Sequence, residues 1–191
     1  MKSDLKLEPL CKRIKATPIE LLGRLIGEFH CERDSDVEGF LHNTAIRNEQ
    51  KGHSRTFLYL SEDSRETHIA AFFSIAIAVT DFNIVSKSRK KKILDYSTPG
   101  RNSHDYFGGL LVAQLARSDM YENEDISGQE LIWTAENIID SGRKFVGGSV
   151  IYLDCKEPLI DFYLSNGYDL VHKEQFPNGY FKMFKVLPEL F

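Results

Sequence analysis

The sequence predicts a mixed α/β fold: a mostly antiparallel sheet with splayed central strands, flanked by helices. Three observations carry that expectation. Residues 105–142 read as a buried strand, a polar loop and an amphipathic helix. Residues 55–82 alternate like a β-hairpin. The last third of the chain orders itself as strand, helix and two further strands.

In chain order, Lys6 to Leu10 reads as a short first strand. Thr17-Pro18-Ile19-Glu20 then opens a helix, with Thr at the N-cap, Pro at the first helical position and Glu two residues on. Leu22, Leu25, Ile26 and Phe29 give that helix an apolar stripe. A second capping box, Ser35-Asp36-Val37-Glu38, opens a helix running to about Gln50, and Lys51-Gly52 ends it. A strand over residues 55–60 is followed by a polar turn and a long return strand over residues 68–82. Ile69, Ala71, Phe73, Ile75, Ile77 and Val79 share one face of the return strand. The opposite face is mostly small (Ala70, Ser74, Ala76, Ala78) and leaves room for a helix to approach. The basic run SKSRKKK occupies residues 86–92, and 97–104 reads as a loop turning at Pro99-Gly100.

Residues 107–116 form an almost uncharged run with apolar residues on both faces, as in a strand covered on both sides. After a polar loop, Ser127-Gly128-Gln129-Glu130 has capping-box form. Leu131, Ile132, Ala135, Ile138 and Ile139 then repeat at helical spacing, and Gly142 is the expected stop. A buried strand leading through a loop to an exposed helix start is suited to an anion. Unpaired N–H groups and the positive end of the dipole point outward together there. An ordinary strand–helix unit without ligand fits the same pattern. An apolar strand over 149–155, a helix over 157–167 begun by Pro158 and stopped at Asn166-Gly167, and a strand pair over 168–172 and 180–186 complete the chain.

Composition narrows the function. The 191 residues, 42% of them hydrophobic, suffice for a single domain over 1–191 with a substantial core. No apolar stretch reaches the roughly 18 residues of a membrane helix, and no signal-peptide pattern opens the chain, so a cytoplasmic protein without membrane contact is expected. Three separated cysteines give neither a disulfide framework nor a metal knuckle, and the six histidines never fall at metal-ligand spacing, so no metal is expected. A net charge of -4 leaves nucleic-acid binding to a local patch, and the run at 86–92 reads either as such a patch or as a solvated helix face.

Asp161-Phe162-Tyr163-Leu164-Ser165-Asn166-Gly167-Tyr168 resembles the F-Y-x-x-x-G-F/Y signature of the GCN5-related N-acetyltransferases. The stretch around Leu115-Ala116 is similar to that family's fourth strand, which leads to its pyrophosphate loop. Phe40-Leu41, Ala45, Arg47, Asn48 and Gln50, followed by Ser54-Arg55-Thr56, resemble the tRNA-acetylating toxin branch. The resemblance implies acetyl-CoA as cosubstrate and a primary amine as acceptor, with aminoacyl-tRNA as one candidate and a homodimer left open. It places the pantetheine arm on backbone groups of Leu115, Ala116 and Arg117, the pyrophosphate on Ser127, Gly128, Gln129 and Glu130, and Phe162 beside the cofactor. Tyr163 would be the general acid, if it is more than a packing residue. The sequence also departs from the family pattern. Glu130 and Ile132 stand where the family loop carries its two glycines, Lys156 and Glu157 where many relatives keep an Asn, and Gln114 cannot serve as a base. Water or a neutral amine would then do the base's work, or the chain is a catalytically weakened CoA-binding or regulatory module.

Overall fold

Short apolar strands and helices with one apolar stripe must cover one another, and the computed structural model, which describes residues 5–62, 66–94 and 105–190, realises this as one mixed sheet with helices. Its strands are β1 (Leu5–Pro9), β2 (Ser54–Glu62), β3 (Thr67–Asp81), β4 (Tyr106–Arg117), β5 (Val150–Cys155), β6 (Asp169–Leu170) and β7 (Phe181–Val186). They lie in the order β1-β2-β3-β4-β5-β7-β6. Among the described pairings, β1–β2, β2–β3, β5–β7 and β6–β7 are antiparallel and β4–β5 is parallel. The chain divides into two compact units, Met1–Ala76 with Val112–Ala135, and Ile77–Leu111 with Glu136–Phe191.

The first unit carries four helices, α1 (Leu10–Ala16), α2 (Ile19–Gly27), α3 (Ser35–Asn43) and α4 (Ala45–Lys51). Their apolar stripes meet Leu58 and Leu60 of β2 and Phe72 of β3 in one core with Leu10, Leu22, Ile26, Phe29 and Leu41. Phe72 receives Phe29 edge-on at 5.3 Å and Phe40 in a stack at 6.3 Å. The face of the return strand expected to be small therefore carries a large ring at its centre. On the other face Phe57 and Tyr59 lie against Phe73.

Several local expectations are corrected. Sequence reading missed α1, and this helix changes the role of Thr17: its N–H closes α1 on the Arg13 carbonyl at 2.9 Å. Pro18 then precedes α2 and accepts from Leu21 and Leu22, with no side-chain cap. At α3 the cap is Asp34, not Ser35: Asp34 accepts from the Asp36 N–H at 3.2 Å. Glu38 does not close a box on Ser35; its carboxylate takes the Cys31 N–H at 2.7 Å. The single helix expected to about Gln50 is two, because Thr44 leaves helical backbone angles (φ -125°), although its N–H and carbonyl keep their bonds to Phe40 and Asn48. Gly52, with φ +71°, ends α4 in the left-handed conformation that glycine adopts without strain.

In the second unit, α5 (Lys87–Ile93), β5 and β7 bring Ile93, Val150, Tyr152 and Phe184 into one core with Phe82, Val85, Leu94 and Val171, and the last part of α6 (Gly128–Val146), α7 (Ile160–Ser165) and β6 complete the unit. β4 pairs with β5 at Leu110↔Ile151 and Leu111↔Tyr152 only. A Cβ on Gly109 would stand 2.6 Å from the Tyr152 ring and 2.8 Å from the Val150 carbonyl, so the close approach of these strands requires glycine. The end of β3 opens to solvent, with Ile77 82% and Val79 62% exposed. The segment expected as one helix over 157–167 is a 3-10 turn at Glu157–Leu159 followed by α7, ending at Gly167 with φ +84°. The last strands are antiparallel but not a tight hairpin, since residues 171–180 separate β6 from β7. The turn expected at Pro99-Gly100 lies outside the described residues.

Candidate functional site

The residues singled out by sequence fall into two sets, one in each unit. In the first unit β4 runs to Arg117, a polar loop follows, and α6 begins at Gly128. Ser127 caps the helix as expected: its Oγ accepts from the Glu130 N–H at 3.0 Å, and its carbonyl from the Leu131 N–H at 3.1 Å. The N–H groups of Gly128 and Gln129 are left at a helix start that the helical ladder itself cannot reach. Gln129 and Glu130 are exposed, whereas Ile132 is fully buried. The isoleucine in a glycine position thus points its bulk into the core and away from the loop. Glu130 shares its helical face with Thr134, which accepts the Tyr59 hydroxyl at 2.7 Å. Burial raises the Tyr59 phenol, the Thr134 bond lowers it, and the charge of Glu130 raises it further.

The β4–α6 loop is held in place by its own ends. Arg117 reaches back over it, donating from Nη1 to the Ile126 carbonyl at 2.8 Å and to Asn123 Oδ1 at 3.2 Å. The Ser118 N–H donates to the Ala70 carbonyl at 2.9 Å. A second clamp, absent from the sequence reading, ties the loop to the connection between α2 and α3. Arg33 Nη2 donates to the Arg117 carbonyl at 2.7 Å and pairs with Asp119 at 3.1 Å. Asp119 Oδ2 accepts from the Glu32 N–H at 2.6 Å, and the Asp119 N–H donates to the His30 carbonyl at 2.9 Å. The backbone oxygen of Arg117, expected to be open to a ligand, therefore already has a donor, for a local reason: the guanidinium of Arg33 lies beside it. Leu115 is half-buried, and Ala116 belongs to the core, so Ala116 has only its backbone to offer.

In the second unit Tyr163 sits on α7 and is 8% exposed. Its ring meets Phe162 edge-on at 5.0 Å and Tyr168 at 5.8 Å. Burial first, and the charge of Cys155 second, push its phenol up to about 12. Beneath it lies a polar anchor: Lys185 donates to Glu136 at 2.7 Å and to the Asn166 carbonyl at 3.0 Å, with its ammonium 5.4 Å from the Tyr168 ring centre. Asn166 in turn donates to the Phe162 carbonyl at 2.8 Å, which fixes the end of α7. Phe162 is half-buried against Tyr163.

The basic run becomes α5, capped by Ser86 Oγ on the Arg89 N–H at 3.4 Å. Part of its charge is engaged within the unit. Lys92 pairs with Asp169 and stands 6.0 Å over Phe184, and Lys90 stands 5.7 Å over Phe82. Among the described residues no group of three or more His, Cys, Asp or Glu side chains is arranged for a metal, and no helix is long and apolar enough to cross a membrane.

No family model and no curated protein matches this chain. Solved structures do. A tyrosine-to-phenylalanine variant of KacT superposes with a TM-score of 0.70 at 16% identity, covering 93% of each chain. AtaT complexed with acetyl-methionyl-tRNAfMet gives 0.68 at 17% identity, covering 96% of this chain and 95% of the other. AtaTR bound with acetyl-CoA gives 0.66 at 15% identity over 96% and 93%.

Proposed function

We propose that this chain, which has the fold of the GCN5-related N-acetyltransferases in their toxin-like form, transfers the acetyl group of acetyl-CoA to a primary amine. The observation that carries the reading is the start of α6: two N–H groups outside the ladder, a capped first turn and a loop pinned at both ends. This geometry suits a diphosphate, which needs fixed donors rather than a mobile loop. The inward turn of Ile132 removes one objection raised by the missing glycines.

In direct transfer the amine nitrogen forms a bond to the thioester carbonyl carbon and the carbon–sulfur bond breaks. The departing thiolate takes a proton, and the amine gives one up. Tyr163 is the proton donor in this reading. Its buried phenol keeps its proton at neutral pH and recovers it from solvent afterwards. Among the described residues no carboxylate is assigned as base, so water receives the amine's proton. The finer proposal is that the amine belongs to an aminoacyl-tRNA. It is supported by the tRNA complex of AtaT and by the residues that resemble the toxin branch. A second reading, a CoA-binding module with weakened turnover, is favoured by the carboxylate of Glu130 at the phosphate end.

Binding of the donor is tested by melting. A ligand at 100 times its Kd that binds only the native state stabilises it by about 2.7 kcal/mol. At about 2–4 °C per kcal/mol, saturating acetyl-CoA should raise Tm by roughly 5–10 °C. An unmoved Tm at millimolar acetyl-CoA contradicts both readings.

A further inference from the structure

Alternation along β7 puts Phe181, Met183 and Lys185 on one face of the strand. The first two are buried, so Lys185 carries its ammonium to the edge of an apolar layer, with 27% of its side chain exposed. Glu136 of α6 meets it at 2.7 Å, with 15% exposure. Taking two charges this far from water costs about as much as their attraction returns, so such a pair is a weak source of stability. Its contacts point to another use. Lys185 donates a second hydrogen bond to the Asn166 carbonyl at 3.0 Å, and its ammonium stands 5.4 Å from the centre of the Tyr168 ring. Its Cε lies against Gly167, where an added Cβ would be 3.6 Å away. One side chain thus meets all three of residues 166–168.

Those three residues set Tyr163. Helix α7 has only six residues, too few to hold its shape alone, so the way it ends decides where it lies. The N–H groups of Asn166 and Tyr168 both donate to the Tyr163 carbonyl at 3.1 Å, and the Tyr168 ring meets the Tyr163 ring edge-on at 5.8 Å. Backbone and ring of Tyr163 are therefore fixed by the turn that Lys185 grips. We propose that Lys185, held by Glu136, is the positioning residue for Tyr163 and sets its phenol where the proton passes to the departing thiolate. The proposal rests on the reading of Tyr163 as the proton donor. A donor must come within about 2.6–3.2 Å of the atom it protonates, and a misplacement of about 1 Å costs on the order of 10²-fold in rate. Lys182 offers a contrast on the same strand: it points to the opposite face and pairs with Asp154 at 3.1 Å.

The test is steady-state release of CoA thiol by the full chain from acetyl-CoA, with mixed free amino acids, polyamines, peptides and aminoacyl-tRNAs as acceptors. Lys185→Met keeps the apolar stem and removes the charge. Its kcat should fall about 10- to 100-fold, while KM for acetyl-CoA stays within about twofold of wild type. Lys185→Met/Glu136→Leu removes both charges, so its urea midpoint should return toward wild type. Its kcat should nonetheless stay low, because the Asn166 carbonyl still lacks its donor. This double variant keeps the test available if Lys185→Met folds poorly. In a Tyr163→Phe background, Lys185→Met should slow transfer by less than about twofold further, since a residue acting through the phenol has nothing left to position. Lys182→Met should keep the wild-type kcat. A wild-type kcat in Lys185→Met would overturn the proposal, as would a kcat that recovers with stability in the double variant or full additivity with Tyr163→Phe. No enzyme-dependent release by the wild type, or an undiminished rate in Tyr163→Phe alone, would overturn the transfer reading itself and this role with it.

Discussion

Burial above all pushes the Tyr163 phenol up to about 12, so at neutral pH it is an intact O–H. Acetyl transfer should therefore rise with pH as the acceptor amine loses its proton and show no descending limb below about pH 11. A descending limb near pH 9–10 would mean another acid. Tyr163→Phe keeps the ring contacts with Phe162 and Tyr168 and removes only the proton, so kcat should fall by about 10²–10⁴-fold with acetyl-CoA affinity unchanged. An undiminished rate returns Tyr163 to packing. Glu130 carries the opposite kind of test. Its backbone N–H is held by Ser127, but its exposed carboxylate stands at the turn assigned to a diphosphate. At about 6 Å and an effective dielectric near 40, each unit of phosphate charge opposes it by roughly 1.4 kcal/mol. Glu130→Gln removes the charge and keeps hydrogen-bonding capacity, so acetyl-CoA should bind up to about tenfold more tightly by calorimetry. Equal or weaker binding would place the phosphates elsewhere.

The connection between α2 and α3 and the β4–α6 loop behave as one clamped element. Arg33→Ala and Asp119→Ala each remove hydrogen bonds to backbone as well as their mutual ion pair. Urea titration should show each costing about 1–2 kcal/mol, and the double variant costing at least about 0.5 kcal/mol less than their sum. Strict additivity would show that the two side chains act independently. This clamp also marks the limit of what the sequence discloses. Strand β4, the Ser127 cap and the start of α6 were legible because their signals are local: an apolar run, a hydroxyl and a helical repeat. Asp119 and Arg33 lie 86 residues apart, and nothing in a polar loop announces which distant backbone it will grip. The same reason explains Ser35, which has the capping pattern, whereas Asp34, one residue earlier, has the geometry. Phe72 was absent from the small face read on β3, since a period of two reports alternation and not which helix covers the ring.

Across the molecule, alkaline stability should report the buried acids of the second unit. Burial and then the charge of Asp154 raise Cys155 to about 11, and burial and then Glu136 raise Tyr168. A group with a raised folded pKa stabilises the native state fully below its unfolded pKa, about 9 for the thiol and 10 for the phenols, and that contribution is lost as pH climbs through the folded value. The urea midpoint should therefore fall steadily between about pH 9 and 12, and Tyr163→Phe should fall less steeply over the upper part of that range. A flat midpoint would contradict the burial of these groups. The central claim is acetyl transfer, and it is met most directly with acetyl-CoA labelled in the acetyl group. The label should move in a time- and enzyme-dependent way onto the amino nitrogen of one member of a panel holding free amino acids, polyamines, peptides and aminoacyl-tRNAs, with aminoacyl-tRNA the predicted acceptor and Tyr163→Phe slowed at least about a hundredfold. Label that remains on CoA, or appears only as acetate, with every amine in the panel would contradict the assignment as an N-acetyltransferase.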